Sequence, residues 1–174
     1  NLVGISLCLE AGSAVYIPLG HQSGPKQENL FNQDDESDSG NQKEPQLELD
    51  VVRKHLGPIL SDRSILKIGQ NIKYDIQSLL RAGFEVSTVD DTMVISYILK
   101  GTQRSHSLDN LANEFFGHET ISYKSLVGSG KKQKTLDELQ PSVVREYACE
   151  DADYTRRLHT ALKPQLMEKG FTHI

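Results

Sequence analysis

Tyr147 and Asp151 stand four residues apart in the string Tyr147-Ala148-Cys149-Glu150-Asp151-Ala152-Asp153. At about 100° per residue, this spacing places a phenol and a carboxylate on one side of a helix, in a row with Val144, Ala148, Thr155, Leu158 and Leu162. A carboxylate within an apolar stripe is costly unless something compensates its charge. A bound cation would do so, with the Tyr147 hydroxyl as a polar neighbour; an arginine or backbone amides would serve as well. Glu150 and Asp153 are expected on the flanks, pointing elsewhere and needing no such help.

A second acid has a different setting. Gly69-Gln70-Asn71-Ile72-Lys73-Tyr74-Asp75 follows the apolar run Ile65-Leu66-Lys67-Ile68, which reads as a strand. Asn71 can cap the helix that opens there, and Ile72, Ile76, Leu79 and Leu80 form its apolar face up to Gly83. Asp75 falls at the edge of that face. Taken alone it is an acid near a helix N-terminus, where the dipole favours it.

The elements that must position these groups follow from pattern. Residues 2–9 and 14–19 flank the turn Glu10-Ala11-Gly12-Ser13 and read as a β-hairpin. Helical spacing runs over 47–60, with Gly57-Pro58 expected to disturb its end. A strand at 65–68, a helix over 71–82 and a short strand at 85–88 come next. A helix over 91–100 stops at Gly101, and Ser107 caps another that ends at Phe116 before Gly117. A loop bearing glycines and lysines leads to a short helix over 135–139, and Pro141 starts a long helix to about residue 169. A hairpin followed by alternating helices and strands indicates one α/β domain over 1–174.

In their order along the chain these strings resemble the proofreading 3′–5′ exonuclease domain of bacterial DNA polymerase I, in the four-carboxylate-plus-tyrosine exonuclease superfamily. The resemblance runs from Asn1-Leu2-Val3-Gly4 through Tyr16-Ile17-Pro18 and Gly69 to Asp75. It continues through Asp91-Thr92-Met93, Arg104, Ser107-Leu108 and Gly128 to Gln133, and closes on Tyr147 to Thr155. It implies a ribonuclease-H-like fold, a mixed sheet flanked by helices. Asp75 matches the family's second-motif carboxylate, Asp151 its third-motif metal ligand, and Tyr147 the tyrosine that orients the attacking water. Arg104 and Tyr123 match positions used near the 3′ end, with Gln70, Asn71, Tyr74 and Gln133 as further DNA contacts. The basic loop with Lys131, Lys132 and Lys134 reads as part of a single-stranded DNA path. Two Mg²⁺ or Mn²⁺ ions are the implied cofactors. The implied partners are a single-stranded DNA 3′ end and the polymerase domain of the same parent chain, in the bacterial cytoplasm at the nucleoid.

The family carries an Asp-x-Glu pair on the strand immediately before residues 2–9, and that strand is expected to be missing from residues 1–174. The expectation is therefore an N-terminally truncated domain lacking its central strand, which hydrolyses DNA poorly or not at all by itself. Glu10 has neither the partner nor the position to substitute.

Composition narrows the alternatives. The 174 residues carry a formal net charge of −5, but residues 20–46 are polar and acidic, with six acids against two lysines, including Asp34-Asp35-Glu36-Ser37-Asp38, and read as a flexible surface insertion. Cys8 and Cys149 suggest no redox pair, and no Cys/His metal spacing occurs. No apolar run approaches the ~20 residues of a membrane span. Gly128-Ser129-Gly130-Lys131-Lys132 is not a phosphate loop, because Lys132 stands where Ser or Thr is needed and no strand precedes it. Two rival readings remain: a non-catalytic structural or DNA-binding module of a polymerase, and a ribonuclease-D-like or Werner-type exonuclease.

Overall fold

The computed structural model describes residues 2–22, 44–103, 105–130 and 133–171. Most of the acidic insertion, together with Arg104, Lys131 and Lys132, lies outside the described residues.

Strands β1 (Gly4–Glu10) and β2 (Ser13–Pro18) form the expected antiparallel hairpin, with Ile5 opposite Ile17 and Leu7 opposite Val15. Helix α1 (Leu49–Ser61) carries Pro58 within its last turn, so the expected disturbance there does not end the helix early. β3 (Lys67–Gly69) leads into α2 (Lys73–Arg81). β4 (Val89–Asp91) runs parallel to β3, pairing Lys67 with Val89 and Gly69 with Asp91. The strand expected at 85–88 thus lies a few residues later. Phe84, 2% exposed, is used instead as a core plug against Val52 and Leu60.

α3 (Thr92–Lys100) ends at Gly101, and α4 (Leu108–Phe116) opens on a Ser107 hydroxyl that accepts the Asn110 N–H and closes on left-handed Gly117. These are the capping signals read from sequence. α5 (Tyr123–Val127) was not expected; it interrupts what reads as loop. Its start is local, since Ser122 caps it through the Ser125 N–H at 3.0 Å. A single 3₁₀ turn at Leu136–Glu138 precedes α6 (Pro141–Glu168).

The architecture is mixed α/β, with small sheets flanked by helices. The sheet is divided: β1–β2 is one two-stranded unit and β3–β4 another. Among the described residues the antiparallel pair and the parallel pair are not hydrogen-bonded to each other. α6 packs against β1, β2 and β3 and so bridges the two units. It also buries Leu158, Leu162 and Leu166 against Ile95 of α3 and Leu111 of α4. Each fully buried leucine contributes roughly 1.5–3 kcal/mol by leaving water, which makes α6 the central beam of the domain.

Candidate active site

α6 begins with Pro141 in its first turn, where a missing N–H costs nothing. Its N-cap residue Gln140 makes no side-chain cap bond; Glu44, near the end of the 20–46 segment, accepts the Ser142 N–H at 2.8 Å and the Ser142 hydroxyl at 2.5 Å. From that anchored start the helix buries Val144, Thr155, Leu158 and Leu162, the stripe read from sequence. Tyr147 and Asp151 are half-buried at its exposed margin.

Asp151 is electrostatically crowded. Burial, then the charges of Asp109, Glu150 and Asp75, push its carboxyl up to about 6, while a hydrogen bond from Tyr147 pulls it back. Burial and the Asp151 charge hold the Tyr147 phenol well above its usual value, so it keeps its proton at neutral pH. Asp75 keeps a solvent-exposed side chain. Surrounding protein, then the Asp91 charge, still push its carboxyl upward, and water screens that effect. The charge of Asp75 is among those that reach Asp151.

α2 is aimed by Asp91. Asn71 adopts φ 58°, a left-handed turn that Asn tolerates. The N-cap of α2 is Ile72, which has no side-chain cap bond, rather than the Asn71 expected. The cap comes from across the chain: Asp91 accepts the Asn71 N–H at 2.9 Å and the Ile72 N–H at 3.0 Å. The same carboxylate caps α3 through the Met93 N–H at 2.9 Å. One acid thus ties the starts of both helices and fixes where Asp75 points. Before this turn, a Cβ on Gly69 would come within 2.6 Å of Ile72, so the strand-to-helix corner requires glycine.

The remaining candidates divide by environment. The Tyr123 ring lies 6.5 Å from the Tyr147 ring at 61°, an edge-on aromatic pair beside the carboxylates. Gln70 is committed internally: its amide donates to the His106 carbonyl at 2.7 Å, and its oxygen accepts the Thr92 hydroxyl. Tyr74 is 61% exposed, with the Lys73 ammonium 5.3 Å from its ring centre. Gln133 is exposed in the turn after Gly130, its N–H donating to the Gly130 carbonyl at 3.1 Å.

Glu150 and Asp153 do not point idly away. Glu150 accepts the Ile121 N–H at 2.6 Å and His118 Nε2–H at 2.8 Å. Asp153 accepts the Gly12 N–H at 2.7 Å and Arg157 Nε–H at 2.9 Å, pinning the hairpin turn to α6. Helical periodicity placed both acids on flanks and could not reveal that neighbouring elements cover those flanks. Asp109, whose charge reaches both Tyr147 and Asp151 from α4, carried no sequence signal.

Among the described residues no three His, Cys, Asp or Glu side chains converge to hold a metal. The donor chemistry nevertheless suits a hard divalent cation, because Mg²⁺ keeps most of its waters and takes one or two protein carboxylates. Asp151 and the Tyr147 hydroxyl form a hydrogen-bonded pair on α6. The sequence profile of a family described as 3′-5′ exonuclease matches residues 1–167. DNA polymerase I of Rhizobium leguminosarum is 37% identical over the whole chain, and that of Pseudomonas aeruginosa is 37% identical over 95% of it. This chain spans 17% of the length of each. Among solved structures, Brucella melitensis NrnC matches 67% of this chain and 54% of its own at 26% identity and a TM-score of 0.53. A form of NrnC with bound Mg²⁺ matches the same shares at 28% identity and a TM-score of 0.50. The chain belongs to the 3′–5′ exonuclease domain family of DNA polymerase I. Among the described residues, no helix is long and apolar enough to cross a membrane.

Proposed function

We propose that this domain removes 5′-mononucleotides from the single-stranded 3′ end of DNA, as the proofreading site of a DNA polymerase I. The observation that supports the reading is that Asp151 of α6 accepts a hydrogen bond from the Tyr147 hydroxyl and feels the charge of Asp75 from α2. Asp151, together with an Asp-x-Glu pair outside residues 1–174, would hold one divalent cation, and Asp75 would hold a second, through water. Such ions supply a hydroxide nucleophile at neutral pH and neutralise charge on the leaving 3′ oxygen. Hard carboxylate ligands favour Mg²⁺ or Mn²⁺. Tyr147, kept protonated, orients the attacking water, and Tyr123 offers a ring for the terminal nucleotide. The DNA end must be single-stranded because the terminal base has to leave the duplex to reach the acids.

Residues 1–174 alone are expected to cleave poorly. Joined to an Asp-x-Glu strand and a polymerase domain, the domain should digest a labelled single strand with Mg²⁺. Asp75→Ala and Asp151→Ala should each slow it by about a hundredfold or more, about 2.7 kcal/mol of barrier. Tyr147→Phe should be slow but measurable. Near-parental cleavage by either alanine variant would remove the mechanism.

The absence of a three-ligand cluster among the described residues also supports a second reading, a structural or DNA-binding module. It requires unchanged DNA binding on chelation and no cleavage under any condition. A ribonuclease-D-like preference would show as faster turnover of RNA than of DNA oligonucleotides.

A further inference from the structure

Residues 117–122 join α4 to α5 and are gripped from both neighbouring helices. On the α6 side, the Glu150 carboxylate takes both available donors, the Ile121 N–H at 2.6 Å and His118 Nε2–H at 2.8 Å. The His118 ring is also stacked on Tyr154 of α6, centroids 4.2 Å apart and planes 8° apart. From α4, Asp109 accepts the Thr120 hydroxyl at 2.7 Å. The Glu150 side chain is only 15% exposed, so these charge-assisted bonds are poorly screened by water.

What this grip holds is α5, a helix too short to fix its own orientation. Its far end is set by Val127, 3% exposed in a cluster with Leu139 and Val144. Its near end emerges directly from the gripped segment and carries Tyr123, the ring that faces Tyr147. A side chain on the near end moves with residues 118–121, and Glu150 is the group that binds those residues to the helix bearing Asp151. We infer that Glu150 is a positioning residue: it sets Tyr123 opposite Tyr147 and thereby fixes where the last nucleotide of a 3′ strand lies. This rests on the single-strand exonuclease reading above.

The test uses the full-length protein that carries this domain and a fluorescent single-stranded oligodeoxynucleotide. Binding is read by anisotropy with Ca²⁺ and turnover with Mg²⁺. Glu150→Ala should weaken binding about tenfold, within the range of one base–aromatic stack, and the loss should fall on KM rather than kcat. Tyr123→Ala should weaken binding comparably, and the double variant should bind no more weakly than Tyr123→Ala alone. Glu150→Gln keeps a carbonyl for the Ile121 N–H and should recover most of the affinity. Additive losses, or a fall in kcat with unchanged affinity, would overturn the inference; the latter would make Glu150 act through its charge on Asp151. Should Glu150→Ala fail to fold, His118→Ala in the same cycle with Tyr123→Ala decides between the same outcomes. A parental protein that binds the strand without cleaving it refutes the exonuclease reading while the binding cycle still judges Glu150. One that does not bind it refutes both.

Discussion

At Asp151 three further acids and one phenol act on a single half-buried carboxylate. Burial and the charges of Asp109, Glu150 and Asp75 all oppose its ionisation; only the Tyr147 hydrogen bond favours it. The domain therefore holds its negative charge at neutral pH at a cost to its own stability, and a cation would relieve that cost. Asp151→Asn should raise the stability of the metal-free domain at pH 7 by about 1–3 kcal/mol, one pKa unit being about 1.4 kcal/mol. It should also diminish any rise in melting temperature that Mn²⁺ gives the parent. Urea titration and thermal scans with and without Mn²⁺ measure both effects. A variant less stable than its parent would mean that Asp151 is held by partners that need its charge. The unusual character of this residue was legible from its place in an apolar row. The identity of its neighbours was not, because Asp75 and Asp109 reach it from other helices.

Among the elements, α4, with local signals at both ends, agrees with the sequence reading, whereas α2 and β4 begin where longer-range partners place them. Ser107 and Gly117 bound α4 as read, because a cap and a left-handed terminus depend on adjacent residues. The cap of α2 was assigned to Asn71, which is nearby in sequence, but is provided by Asp91 on the strand beside it. β4 was placed too early, at 85–88, where β-branched Val86 and Thr88 alternate with polar residues, whereas its partner β3 selects Val89–Asp91. Asp91→Ala should leave the Asn71 and Ile72 N–H groups and the start of α3 without their acceptor, costing about 1–3 kcal/mol. Because α2 carries Asp75, it should also lower exonuclease activity. Asp91→Asn retains one acceptor oxygen and should lie between. Equilibrium unfolding and oligonucleotide cleavage test this pair, and a silent Asp91→Ala would refute the double cap.

Across the molecule, α6 holds together sheets that do not pair with each other. Besides its leucine row it is tied to the parallel unit through Asp90, which accepts His159 Nε2–H at 2.7 Å and the Lys163 ammonium at 2.8 Å. Burial alone would raise the Asp90 carboxyl, but hydrogen bonds and charges from Lys163 and His159 pull it below its usual value. A carboxyl depressed in the folded state binds fewer protons there than when unfolded. Its contribution is present above the unfolded value, about 3.9, and is lost as pH falls through the folded value. Asp90→Asn should flatten the loss of stability below about pH 4 and lower stability at pH 7, as read by urea unfolding across pH. An unchanged acid limb would show that this cluster does not hold β4 to α6.

The order of motifs and elements along the chain determined the family and the α/β class, and residue spacing determined the helix caps with adjacent partners and the carboxylate–tyrosine pair, since these last two depend on neighbours within about one helical turn. Tertiary structure alone decided that Glu150 grips the 118–121 segment, that Asp91 serves two helices, that α5 brings Tyr123 to Tyr147, and that α6 spans two separate strand pairs. Those features depend on groups dozens of residues apart in the chain. A buried donor must find an acceptor wherever packing brings one within reach, and that choice has no local period to read.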